Sequence, residues 1–198
     1  MSKQLIISVG REYGSGGHEI AERLSKVFDL PFYDYNLLRE MAKEKDWDVE
    51  DLEKYDEIPK NKLFSRKIRG YSNSPQEIIA HLQFEYMENM AKEGNSFVVV
   101  GRCSETVLRN YEGLITIFVT GDMEAKIDRI VGIKKISRKE AEAMIVHTNK
   151  KRKEYHNYYC TDKWGDSRNY DITINSSKLG EEKTAEVLAS YIKERIKE

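Results

Sequence analysis

Leu5-Ile6-Ile7-Ser8-Val9-Gly10-Arg11-Glu12-Tyr13-Gly14-Ser15-Gly16-Gly17-His18-Glu19-Ile20 is the stretch that decides the fold. Leu5 to Val9 is short, apolar and β-branched, the composition of a buried strand. Glycines then recur at positions 10, 14, 16 and 17. Beyond them Ile20, Ala21, Leu24, Val27 and Phe28 repeat at helical spacing. The order is strand, glycine loop, helix. Glycines let the backbone curl so that successive N–H groups point inward at an anion. The N-terminus of the following helix adds a favourable dipole. Gly14, Ser15, Gly16, Gly17, His18 and Glu19 are therefore the candidate nucleotide-phosphate segment.

The loop departs from the P-loop pattern, in which a lysine follows the second conserved glycine and a serine or threonine comes next. Here those places hold Gly17 and then His18-Glu19. The lysine normally sets a cation against the terminal phosphates, and the hydroxyl holds magnesium. Arg11 stands where the loop's first glycine belongs. It is expected to supply the missing cation from the other side of the loop. The alternative is that Arg11 pairs with Glu12 or Glu19.

Outward from the loop, strand and helix signals alternate. Leu30 to Asp34 reads as a second short strand with Asp34 at its end, and a helix is expected from about Asn36 to Lys45. A short helix is expected over Asp48–Tyr55, a basic stretch runs from Lys60 to Arg69, and Tyr71-Ser72-Asn73 reads as a loop. Ser74-Pro75-Gln76-Glu77 has the form of a capped helix start, with proline at the first helical position and glutamate returning. Ile78, Ile79, Leu82, Tyr86, Met87 and Met90 form the apolar stripe of that helix, which Gly94-Asn95 ends. Phe97 to Val100 is a fully apolar strand, with Gly101-Arg102 at its carboxyl end. Leu114 to Val119 is another, ending at Thr120-Gly121, with Asp122 placed to cap the next helix. Ser137-Arg138-Lys139-Glu140 is a second capping box, opening a long polar helix towards Tyr159. Ile172 to Ile174 is a last strand. The chain closes on a helix whose apolar face is read as Val187, Leu188, Tyr191, Ile192 and Ile196. Such alternation favours parallel strands with right-handed crossovers, a three-layer α/β domain. Ligands of such sheets bind beyond the carboxyl ends of the strands, where Arg11 to Glu19, Asp34, Arg102 and Thr120 fall.

The chain has 198 residues, 39% hydrophobic and 34% charged, enough for one core with a highly charged surface. The formal net charge of -1 argues against a global nucleic-acid footprint. No stretch reaches the roughly 18 apolar residues of a membrane span, and no signal-peptide h-region follows the N-terminus. Cys103 and Cys160 are the two cysteines. Their spacing is not metal-like, and they suit a reduced, cytoplasmic protein. No residue is assigned as a metal ligand, and no oligomeric state is implied.

The segment Gly10 to Ile20 resembles the opening motif of the cytidylate kinase-like family, a divergent branch of the nucleoside monophosphate kinases. Phe32-Tyr33-Asp34 with Leu38-Arg39 is similar to the family's early substrate-site segment. Val99-Val100-Gly101-Arg102 is similar to its strand-end Gly-Arg, and Tyr170 to Ser177 resembles its last strand. The resemblance implies a single P-loop NTPase fold over residues 1–198, with a parallel central sheet, a substrate-binding insertion at 46–93 and a helical lid at 134–168. It implies ATP-dependent phosphoryl transfer to a nucleoside monophosphate of the CMP or dCMP kind, with Mg²⁺ bridging the phosphates. Arg39 and Arg102 would clamp the acceptor phosphate, Asp34 would assist on that side, and Arg129 would lie near the adenine. Lys150, Lys151, Arg152 and Lys153 would form the closing lid. From the loop itself, Arg11 and at least one of these cations, Arg152 above all, are expected jointly to replace the lysine. Two departures stand out: the lysine is missing, and Cys103 follows Arg102 where the family carries an acidic residue. A nucleotide-binding regulator without catalysis, or a kinase of another small metabolite, are the rival readings.

Overall fold

The computed structural model describes residues 4–34, 37–40, 67–68, 71–72 and 74–197. Its centre is a five-stranded parallel sheet of β1 (Ile6–Arg11), β2 (Phe32–Tyr33), β5 (Phe97–Val100), β6 (Leu114–Thr120) and β7 (Ile172–Asn175), in the order β2-β5-β1-β6-β7. β1 is the middle strand, parallel to both β5 and β6. Helices α1 (Gly17–Phe28), α2 (Pro75–Lys92), α3 (Ser104–Val107), α4 (Met123–Lys134), α5 (Arg138–Tyr159) and α6 (Gly180–Arg195) follow the strands. A short antiparallel pair joins β3 (Lys67–Ile68) to β4 (Tyr71–Ser72).

The layering follows from the two-residue period of the strands. Ile7, Val9, Val98 and Val100 pack on one face with Ile20, Leu24, Leu188 and Ile192 of α1 and α6. Ile6, Phe97 and Val99 point to the other face, against Met87 and Met90 of α2. Both faces of β1 and β5 are thus buried, which is why these strands read as unbroken apolar runs. A separate cluster of Ile127, Ile130, Ala141 and Ile145 holds α4 to α5, with Tyr13 of the glycine loop packed against it.

Several expectations need correction. The apolar face of α6 is Thr184, Ala185, Leu188, Ala189 and Ile192, whereas Val187 is 41% and Ile196 42% exposed. Small residues on the buried arc let α6 lie close against α1, and the larger Val187 turns outward. Val27 of α1 and Ile78 of α2 are exposed for the same reason, falling outside the buried arcs centred on Leu24 and Met87. Ser74 and Asp122 occupy N-cap positions without capping through their side chains. Ser74 bonds Gln76 instead, and Asp122 accepts from Asn175 and pairs with Lys178. The capping box at Ser137 and Glu140 forms in full. Tyr71 and Ser72 form a strand rather than a loop. They pair antiparallel with Lys67 and Ile68. Only residues 37–40 of the helix expected at 36–45 are described, and they are helical. The expected helix at 48–55 lies outside the described residues.

Candidate nucleotide and acceptor site

The glycine loop leaves the carboxyl end of β1 and enters α1 at Gly17. Gly14 and Gly16 are left-handed, with φ of 84° and 74°, a conformation that costs glycine little. A side chain on Gly16 would also strike Glu181, at 2.5 Å. The N–H groups of Gly17, His18 and Glu19 open α1 and have no partner within the helix. The loop is fixed from outside. Ser15 Oγ donates to the Glu12 carbonyl at 2.9 Å, and Ser176 Oγ donates to the Ser15 carbonyl at 2.6 Å. Glu12 turns its carboxylate away from the loop and accepts from Lys126 Nζ at 2.8 Å, Thr120 Oγ1 at 2.8 Å and the Gly121 N–H at 3.1 Å. Burial pushes the Glu12 carboxyl upward, but these donors outweigh it and hold its pKa below the usual value.

The place of the missing lysine is occupied. A β-carbon added to Gly17 would sit 2.5 Å from Arg11 Cβ and 3.2 Å from its Cγ. The Arg11 stem therefore fills the space in which a side chain at position 17 would start. Glu12 is held by Lys126. Glu19 pairs with Arg129 at 2.8 Å, and Arg129 also bonds Glu181, so it ties α1, α4 and α6 together. Arg11, Gly14, Gly16, Gly17, His18 and Arg129 line a cleft of about 290 Å³ over the loop.

Helix α5, expected as the lid, rests on the loop. Asn149 of α5 accepts the Tyr13 N–H at 2.7 Å. Arg152 donates to the Arg11 carbonyl at 3.2 Å, with its guanidinium 5.7 Å from the centre of the Tyr13 ring. Of the basic run, Lys150, Lys151 and Lys153 are exposed, and Arg152 alone lines the cleft. On the other side, His18 Nε2 lies 2.5 Å from Asp34 Oδ2, and Asp34 is buried at the end of β2. This bond, opposed by burial and reinforced by the Asp34 charge, raises the His18 pKa above its ordinary value.

Arg102 is 3% exposed and lies in a run of left-handed residues: Gly101, Arg102 and Cys103 have φ of 75°, 55° and 56°. Non-glycine residues in this region cost of order 1–3 kcal/mol each and cluster at functional sites. Arg102 joins Arg11 and Arg152 around a second, small cavity of about 20 Å³, which Trp164 and Tyr170 also line. It has room for about one water. Arg39 is exposed on the helical turn 37–40 and lines neither cavity. The aromatic group pairs off in packing: Trp164 sits edge-on to Phe118 at 5.3 Å and Tyr159 to Phe84 at 5.5 Å.

The model of the cytidylate kinase-like family matches residues 6–178, a span that includes both cavities. The chain belongs to the cytidylate kinase-like family. It is 28% identical over 181 residues to the cytidylate kinase of Pyrococcus horikoshii, covering 90% of this chain and 83% of that protein. The solved structure of an uncharacterized protein from Eubacterium ventriosum is 34% identical with a TM-score of 0.76, covering 96% of this chain and 99% of the other. The shikimate kinase of Bacteroides thetaiotaomicron aligns with a TM-score of 0.56 at 11% identity, covering 96% of this chain and 98% of its own, a likeness of fold. Among the described residues, no helix is long and apolar enough to cross a membrane.

In this cytidylate kinase-like chain, three residues that support the loop were missed in the sequence. Lys126 looks like any helical lysine, and Glu181 and Ser176 like surface residues. Ser176 at the end of the last strand carried the one available signal, because it lies in the Asn175-Ser176-Ser177 run of the family resemblance.

Proposed function

We propose that this family member transfers the γ-phosphoryl group of ATP to a nucleoside monophosphate of the CMP or dCMP kind. The observation that carries this reading is that Arg11 and Arg152 line both cavities, the large cleft over the glycine loop and the small one at Arg102. They stand where a phosphoryl group would pass from donor to acceptor. Charge at that point stabilises the equatorial oxygens as the bond breaks. The loop from Gly14 to His18 would cradle the ATP phosphates, with Glu19 and Arg129 at its rim. Arg102 would grip the acceptor phosphate, for which a guanidinium fork is suited. Arg39, exposed and apart from both cavities, is retained as an acceptor ligand only on the strength of the family pattern.

Magnesium would supply the charge bridge between phosphates. It demands oxygen ligands. With a histidine at the usual hydroxyl position, Asp34 is the carboxylate beside the loop that fits this task, and His18 orients it. The small cavity admits an acceptor phosphate only if the Arg152 and Trp164 side chains part, so acceptor entry and lid movement are linked. The test is a panel of nucleoside monophosphates with ATP and Mg²⁺, scored for ADP release. CMP or dCMP should be preferred. ATP binding with no acceptor turned over would assign the protein to nucleotide-binding regulation, and preference for a phosphate-free acceptor would overturn the assignment of Arg102.

A further inference from the structure

One cluster of buried, metal-ligating side chains stands outside the phosphate site. Cys103 and Glu105 flank Ser104 at the start of α3, and His156 and Cys160 lie four apart at the end of α5. Cys103, Glu105, His156 and Cys160 are 3%, 8%, 5% and 8% exposed. His156 Nε2 lies 2.6 Å from Glu105 Oε1. The donor atoms of Glu105, His156 and Cys160 all lie within 4.8 Å of one another. Cys103 packs with Cys160 in one buried cluster, together with Ala80 and Tyr155.

We propose that Cys103, Glu105, His156 and Cys160 form a tetrahedral site for a thiophilic divalent ion, zinc. Two sulfurs, one imidazole nitrogen and one carboxylate oxygen are zinc donors, whereas magnesium and calcium take oxygen. Ligands about 2.0–2.3 Å from zinc stand roughly 3.3–3.8 Å apart at tetrahedral angles. The donors of Glu105, His156 and Cys160 therefore contract by about 1 Å at their widest, the His156–Glu105 pair opens by somewhat less, and Cys103 closes in from the same buried cluster as Cys160. Buried ionisable groups are costly unless paired or bound to a metal, and a metal accounts for all four at once. Two thiolates and one carboxylate around a divalent ion leave one net negative charge. Arg102, next in sequence to Cys103 and on the same cavity wall as Glu105 and His156, balances it. The second His156 nitrogen faces Asn157 Oδ1 at 3.4 Å, an outer partner that sets the ring's orientation. The two halves of the site come from segments some fifty residues apart, one carrying Arg102 and the other closing the lid helix. Zinc would clip the acceptor side of the site to the lid's end.

The site stands on side-chain geometry and does not depend on which acceptor the enzyme uses. The experiment is metal analysis of the full chain, followed by cobalt substitution of the reduced protein. The expected result is one equivalent of zinc per chain, and on cobalt binding a sulfur-to-cobalt charge-transfer band with intense tetrahedral visible bands. Cys160→Ser and His156→Asn should weaken zinc binding by more than the roughly 10–100-fold that loss of an outer partner costs. The wild-type cobalt spectrum decides the matter even if a variant fails to fold. A folded, reduced protein that shows no sulfur-to-cobalt band overturns the proposal. So does zinc uptake that is unchanged in both variants, since the ion then sits elsewhere.

Discussion

Restoring a lysine at position 17 should by itself damage the enzyme. A β-carbon there falls 2.5 Å from Arg11 Cβ and 3.3 Å from Val119 Cβ. Carbon atoms do not approach so closely, so Gly17→Lys must shift β1 against α1. Overpacking of this kind costs about 1–3 kcal/mol. Arg11→Gly vacates the space but removes a cation from the transfer point. Loss of one preorganised charge-stabilising group lowers turnover by roughly 10²–10³, about 2.7–4 kcal/mol in the barrier. Combining Arg11→Gly with Gly17→Lys removes the clash and returns a cation to the loop. The double variant should therefore be more stable than Gly17→Lys and turn over faster than Arg11→Gly. Urea unfolding midpoints and ADP release at saturating CMP and ATP read the two effects separately. Independent sites add within about 0.3–0.5 kcal/mol. Additivity within that margin in both assays, or an Arg11→Gly enzyme as fast as wild type, would refute the idea that Arg11 holds the lysine's place.

Arg102→Ala should raise the CMP concentration needed far more than that of ATP, by an amount equivalent to about 2–5 kcal/mol for a lost charge-assisted contact; equal effects on both substrates would remove Arg102 from the acceptor site. His18 bonds Asp34 and has a raised pKa, so its contribution to stability is complete below about pH 6.5 and lost as pH climbs through the higher folded value. The stability difference between wild type and His18→Gln should shrink in that direction above pH 6.5, and parallel pH–stability curves would contradict it. Lys126 is buried against Glu12; Lys126→Met should cost up to about 3–5 kcal/mol, the value for breaking a fully buried pair, whereas an unchanged unfolding midpoint would show that Thr120 and Gly121 suffice to hold Glu12.

The layers of the sheet were legible because strand burial is written locally. Phe97 to Val100 is apolar throughout and both its faces are covered. The loop was legible for a similar reason: its glycines, strand and helix are contiguous. The buried arc of α6 was harder to read, because hydrophobicity marks Val187 while close packing selects Thr184 and Ala185. What could not be read was which distant groups complete the loop. Lys126 reaches Glu12 across 114 positions, and Ser176 reaches Ser15 across 161. Each is an ordinary polar residue until the sheet order brings β6 and β7 beside β1.

Arg152 illustrates the difference between a charge run and a placed charge. The run Lys150 to Lys153 offers four cations, but α5 is helical through all of them, and one helical face holds only a fraction of successive residues. Arg152 is on the face towards the loop, where it donates to the Arg11 carbonyl and lies near the Tyr13 ring. Asn149, three positions earlier on that face, receives the Tyr13 N–H. The loop backbone therefore positions the Arg152 guanidinium without a nucleotide present. A charge fixed in advance needs no reorganisation at the moment of transfer, and that is the condition under which it stabilises a transition state most. The base of the Arg11 side chain, its Cβ and Cγ, is packed where Gly17 leaves room. On the proposed function, two guanidiniums would therefore do the work of one long, flexible lysine, and the Arg11→Gly and Gly17→Lys variants test that exchange.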